Sequence, residues 1–364
     1  MSHVIAVASG KGGVGKTLIT ASLAIALRRC GYTVLAVDAD MGMRNLDLLL
    51  GVQDEVFFDV YDVMKKRCKA ADALVPVGPA GDFLAASQKK TWEKADPKDF
   101  VRVISRLSEN YDYVLIDCPP GRDGAFKSAT AVAEKILFVV EPSWTSLRDA
   151  ARVMQYCHKK KHTSNHVLFN NFYRNRPGYL NVETMAAVLL PQSVVGVLPH
   201  DEFIHAAAQE GTLADIGEGN PFFCALSATV RWLETGDEPT GADWNPYLPH
   251  GDALDCIFTD EEAAVSSMQR QVPSFVTHEL SKAAAFLDED AKTDFVSDSE
   301  EEGLSETVEN EEIEERRHIS AAVNAVADEA ASVVEKMLEK GRLQRTLTVR
   351  KRAGESRQWR IRRR

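Results

Sequence analysis

Short, almost unbroken apolar runs recur along the first two thirds of the chain, at residues 3–9, 33–37, 83–86, 113–117, 136–140, 166–169 and 194–198. Runs of that length without polar alternation predict strands buried on both faces. Between them, residues 17–29, 99–108 and 146–159 repeat apolar side chains every three or four positions, the spacing of a helix with one buried stripe. Strand and helix in alternation predict an α/β fold: a doubly wound, mostly parallel sheet with helices on both faces and ligands at the carboxyl ends of the strands.

The texture changes near residue 235, where Thr235-Gly236-Asp237-Glu238-Pro239-Thr240-Gly241 reads as a domain exit. Residues 1–235 are therefore expected to form one domain. Residues 236–287 mix turn and apolar residues and read either as a linker or as a short helical extension. Acidic residues dominate 288–317, which predicts a disordered or weakly helical segment. Helical spacing returns over 318–341, where Ile319, Ala322, Val323, Val326, Ala330, Val333, Val334, Met337 and Leu338 make an apolar stripe that stops at Gly341. Asp328, Glu329 and Glu335 on its polar face favour a docking or self-association helix over a lipid-bound one. Residues 342–364 form a basic tail with Leu343, Leu347, Val349, Trp359 and Ile361 interleaved.

A length of 364 residues at 45% hydrophobic content is enough for a full core. The net charge of -11 hides the contrast between the acidic stretch and the basic end. Six cysteines (Cys30, Cys68, Cys118, Cys157, Cys224 and Cys256) lack the spacing of a disulfide framework or a zinc knuckle, which fits a reducing compartment. The chain enters its first apolar run by residue 3 and holds no spanning-length apolar stretch, so a cytoplasmic protein is expected, with no leader and no spanning helix.

Candidate chemistry enters with Gly10-Lys11-Gly12-Gly13-Val14-Gly15-Lys16-Thr17, directly after the first strand and before the first helix. Glycines at this spacing let successive backbone N–H groups turn toward phosphate oxygens at a helix N-terminus. Lys16 can reach the outer phosphates and the Thr17 hydroxyl can ligate Mg²⁺. Asp38 and Asp40 follow the second strand and Asp117 ends the 113–117 run, where a carboxylate needs a partner or a cation. Lys11 is an extra cation within the loop; on the residues alone it is either a solvated surface lysine or a second phosphate ligand.

The loop K-G-G-V-G-K-T resembles the deviant Walker A motif of the MinD/ParA ATPases, and V-D-A-D-M-G-M-R-N-L-D-L-L-L-G is similar to switch I of the MinD branch. I-D-C-P-P-G resembles the Walker B and switch II segment. Ala86-Ser87-Gln88, Glu141-Pro142, Ser146-Leu147-Arg148-Asp149-Ala150 and Gly196-Val197-Leu198-Pro199-His200-Asp201 extend the resemblance over about residues 3–235. The resemblance implies ATP and Mg²⁺ as cofactors and an ATP hydrolase. Gly10, Lys11, Gly12, Gly13, Val14, Gly15, Lys16, Thr17 and Leu18 would cradle the phosphates, with Lys11 crossing to a partner subunit. Asp40 would place the attacking water, supported by Asp38. Thr17, Asp40 and Asp117 would hold the metal, and Gly121 would sense the terminal phosphate through its N–H. Arg44, Asn45 and Asp47 would lie in the segment that changes shape. Asn170, Pro199 and Asp201 would contact adenine.

Two positions depart from the family pattern: Leu18 stands where a second hydroxyl is usual, and Asn171 where an arginine is frequent. Cys118 has no recognisable partner cysteine of the kind the iron-sulfur branch needs, so it reads as a small buried residue. The implied function is an ATP-dependent homodimer that positions division or polarity partners at the cytoplasmic membrane face. The alternatives from the same engine are a DNA or cargo segregation ATPase and a regulator of flagellum or pilus number. The tail from Arg342 to Arg364 admits an anionic membrane, nucleic acid or the acidic segment as its surface.

Overall fold

The computed structural model describes residues 2–251, apart from 79–80, 123 and 161–163. The acidic segment, the amphipathic stripe and the basic tail expected at 288–364 lie outside the described residues, as does most of 236–287. In chain order the first elements are β1 (His3–Ala8), α1 (Lys16–Arg29), β2 (Val34–Asp38), α2 (Leu46–Leu50), α3 (Val60–Met64) and α4 (Ala70–Ala73). An edge hairpin, β3 (Leu74–Val77) and β4 (Gly81–Leu84), is followed by α5 (Pro97–Ser108), β5 (Tyr113–Asp117), α6 (Gly124–Val132) and β6 (Lys135–Val140). The sequence continues through α7 (Trp144–Lys159), β7 (Asn165–Phe172), α8 (Val182–Leu189), β8 (Ser193–Pro199), α9 (Glu202–Glu210), α10 (Pro221–Thr235) and α11 (Gly241–Trp244).

The eight strands form one sheet in the order β3-β4-β2-β5-β1-β6-β7-β8. All neighbours run parallel except β3 and β4. β1 lies between β5 and β6, so successive crossovers reverse direction around it, and the glycine loop hangs from its carboxyl end. That is the position where a doubly wound sheet opens a crevice for a ligand.

The apolar runs become strands for the expected reason: every residue of β2 and β5 is buried, and β1 and β6 are buried beyond their first residue. The antiparallel edge strand β3 had no separate signal, because Pro76 interrupts its short run. Proline is tolerated there because an edge strand leaves one row of N–H groups unpaired. α5 shows how a helix is specified: Asp96 caps its N-terminus, Pro97 opens it, and Phe100, Val103, Ile104 and Leu107 form the buried stripe. Beyond α10, Trp244 and Leu248 are buried against the core, and Arg174 forms an isolated parallel bridge with His250.

Candidate functional site

The glycine loop occupies the gap between β1 and α1. Gly15 has φ +92°, and a Cβ there would lie 2.4 Å from Asn170 Nδ2. At Gly10 a Cβ would lie 2.0 Å from the Asp149 carbonyl carbon and 2.4 Å from the Ala150 backbone nitrogen, so the loop is seated directly on the backbone of α7. Val14, fully buried, anchors the crest of the loop, and the Ser9 hydroxyl donates to the Lys11 carbonyl at 2.6 Å.

The two lysines of this loop live in opposite environments. Lys16 is 7% exposed. Burial lowers its pKa, and the nearby Asp117, Cys118 and Asp40 oppose that shift. Lys11 is exposed, with 42% of its side chain open to solvent and its Nζ 3.9 Å from Glu141 Oε2.

Asp117 ends β5 at 3% exposure. Burial first, then the charge of Asp38, pushes its pKa upward, while a hydrogen bond from the Thr17 side chain and the charge of Lys16 pull it back. Asp38, fully buried, is likewise raised by burial against three backbone hydrogen bonds. Its Oδ1 accepts from Asp40 N at 2.8 Å, and its Oδ2 accepts from Asn45 N and Leu46 N at 3.0 and 3.1 Å. Asp38 thereby ties the whole 40–46 loop to the end of β2. Arg44 adopts φ +40°, and its Nε lies 2.6 Å from the buried Asp47 carboxylate. The Trp92 indole holds Ala39, just before the loop, by donating to its carbonyl at 2.8 Å.

This donor set fits a nucleotide and a divalent cation. A buried ammonium disfavoured by desolvation gains from phosphate oxygens, and buried carboxylates disfavoured by desolvation and by each other gain from a cation. The Thr17 side chain hydrogen-bonds Asp117, and the charge of Asp40 acts on the same carboxylate. Among the described residues no group of three or more His, Cys, Asp or Glu gathers as a metal cluster, here or elsewhere, so a cation at this site would rest on one or two carboxylates, a hydroxyl and phosphate oxygens.

The base side differs in detail from the sequence expectation. Asn170 is 1% exposed and donates to the Val14 carbonyl at 3.0 Å, while its Oδ1 has no hydrogen-bond partner, an orphaned buried acceptor beside the phosphate loop. The open cavity, about 230 Å³, is instead lined by Glu141, Pro142, Ser143, Asn171, Arg176, Tyr179 and His200. Pro199 ends β8 and brings His200 to this cavity, whereas Asp201 caps α9, with Oδ1 accepting from Phe203 N and Ile204 N and Oδ2 from Asn220 Nδ2. The Arg176 guanidinium packs on Tyr173 and Tyr179, at 4.3 and 4.9 Å from the ring centroids. Sequence reasoning missed Arg176 and Tyr179 because they come from a loop after β7 that carries no motif. Asn171 was visible as a departure; its φ of +57°, a conformation asparagine tolerates, turns its amide into the cavity.

Leu18 places its side chain in the core at 6% exposure, so only its backbone faces the loop. The Gly121 N–H donates to the Ser9 carbonyl at 3.1 Å, so in this state it is held by the chain itself. Cys118 is buried beside the loop, as a small packing residue would be.

Fold and site together define a P-loop ATPase. The AAA domain family matches residues 2–169. The septum site-determining protein MinD of Helicobacter pylori is 37% identical over 227 residues, 58% of this chain and 83% of that protein. MinD of Synechocystis is 34% identical over 218 residues, 58% of this chain and 81% of its own length. Among solved structures, the MinC:MinD cell division complex of Aquifex aeolicus aligns at TM-score 0.61 and 31% identity, covering 66% of this chain and 98% of that one. MinD of Pyrococcus horikoshii complexed with Mg-ADP aligns at TM-score 0.57 and 33% identity, covering 65% and 98%. The chain belongs to the MinD/ParA family of P-loop ATPases. Members of this family hydrolyse ATP with Mg²⁺, and ATP and Mg²⁺ are its cofactors.

Proposed function

We propose that this protein is a MinD-like switch ATPase whose subunits pair when ATP is bound and which positions division or polarity partners at the cytoplasmic face of the membrane. The observation that carries the reading is the contrast between the two loop lysines: Lys16 is buried in its own site, whereas Lys11 stands at the surface, partly exposed and paired with Glu141. A mobile cation that reaches phosphate oxygens across an interface neutralises developing charge as an arginine finger does. When bound, ATP would supply the phosphoryl group and Mg²⁺ the positive charge that offsets its developing negative charge. Within the chain, Lys16 and the loop N–H groups would bind phosphate, Thr17, Asp40 and Asp117 would hold the metal, and Asp40 would also orient the attacking water. Gly10, Gly12, Gly13, Val14, Gly15 and the Leu18 backbone complete the cradle, and Asn170, Pro199 and Asp201 bound the adenine side.

Phosphoryl transfer to water needs positioning and charge more than covalent help, which suits this set. The Gly121 N–H must leave Ser9 before it can meet a terminal phosphate, a local change that distinguishes the two nucleotide states. The solved Aquifex aeolicus complex pairs MinD with MinC, which supports a protein partner from the division machinery here. Among the described residues no helix is long and apolar enough to cross a membrane. The arginines, Trp359 and Ile361 of the tail at 342–364 support contact with anionic lipid. Full-length protein pelleted with anionic liposomes or with DNA, each with ATP or ADP, tests the reading. ATP-dependent liposome binding is expected; ATP-dependent DNA binding without liposome binding favours segregation of DNA or cargo instead.

A further inference from the structure

Lys11 is not free in this state, and what holds it belongs to a built chain of polar contacts. The Lys11 ammonium lies 3.9 Å from Glu141 Oε2. The other carboxylate oxygen, Oε1, accepts from Asn171 Nδ2 at 2.9 Å. Asn171 cannot turn away from it, because Asn171 Oδ1 faces the ring nitrogens of His205 and His200 at 3.2 and 3.4 Å. The Glu141 carboxylate can only accept, which fixes the amide with its nitrogen toward Glu141 and leaves Oδ1 to take an N–H from the imidazoles.

The backbone of Glu141 is fixed as well. Its N–H donates to the buried Ser146 hydroxyl at 3.1 Å, and its carbonyl accepts from Ser143 N at 2.7 Å. The loop that carries Lys11 is held in register with this segment by the contact of Gly10 with the Asp149–Ala150 backbone. The Glu141 carboxylate and the backbone that carries Lys11 are both fixed, so a partly exposed ion pair acquires a defined partner and a defined direction.

We infer that Glu141 is a positioning residue that holds Lys11 within its own subunit, with Asn171 fixing the carboxylate, and that this hold opposes subunit pairing. The inference rests on the reading of Lys11 as the residue that crosses to the partner. A lysine retained in cis must leave Glu141 before it reaches another subunit, so the hold raises the protein concentration at which ATP-bound subunits pair.

The test uses full-length protein and two readouts. Acetylation of lysines by an amine-reactive ester, followed residue by residue by mass spectrometry with Lys89 as the exposed reference, reports the hold in the nucleotide-free state. Sedimentation velocity with ATP reports pairing. Glu141→Gln, which keeps the shape and removes the charge, is expected to raise Lys11 labelling by about two- to fivefold, the range of one partly exposed ion pair. It is expected to lower the pairing concentration by a similar factor, and Asn171→Ala is expected to act in the same direction. Labelling that changes across many lysines indicates a general structural effect and overturns the inference. Unchanged Lys11 labelling, or pairing moved to higher concentration, overturns it too. If Lys11→Ala pairs with ATP as the wild type does, the crossing role falls, while the labelling result still decides the hold on its own.

Discussion

At the scale of single residues, burial decides which groups are poised for chemistry and which are structural. Asp38, Asp117 and His166 are all buried polar residues near strand ends, yet their surroundings differ. Asp117 meets Lys16 and Thr17, as a metal and phosphate site requires. His166 sits between Ser164 and Ser193, with ring contacts at 3.1 and 2.7 Å, and packs on Trp232 at 4.5 Å, far from any phosphate ligand in sequence or topology. Burial depresses its pKa from 6.5 to about 4, so the folded state keeps it neutral. The unfolded chain therefore binds the extra proton between those two values, and stability is complete above pH 6.5 and is lost as the pH falls toward 4. A depression of that size corresponds to about 3 kcal/mol. Urea unfolding from pH 7 to pH 4 is expected to show wild type losing about that much more stability than His166→Asn; parallel curves for the two proteins contradict the assignment.

Elements meet the site through backbone contacts that leave no room for side chains. The phosphate loop rests on α7 at Gly10, Asp38 holds the 40–46 loop through its backbone N–H groups, and Trp92 holds Ala39 just before it. Gly10→Ala would drive a methyl group into the Asp149 carbonyl, so loop or helix must move. Gly12→Ala meets only the Pro120 ring, at 3.8 Å. Thermal denaturation and ATP titration of both variants are expected to separate them: Gly10→Ala loses more than about 2 kcal/mol and most nucleotide affinity, while Gly12→Ala stays within about 0.5 kcal/mol of wild-type stability. Equal losses would show that the loop is not seated on α7. Helices α1, α5 and α7 and the central strands were legible because each is a sustained apolar pattern, sharpened in α5 by the Asp96-Pro97 start. The hairpin strand β3 and the short helices α2, α3 and α4 were not, because five residues or fewer carry too little periodicity to separate them from loops.

The whole molecule places one loop, two acidic strand ends and one cavity at the same edge of a sheet, from segments more than a hundred residues apart. The phosphate and metal side was legible because each part is a local motif whose spacing is its chemistry. The cavity was not, since Glu141, Asn171, Arg176, Tyr179 and His200 converge only when β6, β7 and β8 lie side by side. Asp201 shows a role its position did not announce: both its oxygens serve α9 and Asn220, and so fix the segment after Pro199. The proposed switch assigns the exposed Lys11 a role that reaches beyond a single chain. Sedimentation velocity of wild type and Lys11→Ala, with ATP and with ADP, tests that claim most directly. A wild-type dimer with ATP, monomers with ADP, and a variant that still binds ATP but stays monomeric are the results the switch requires; a Lys11→Ala dimer as stable as the wild type would contradict it.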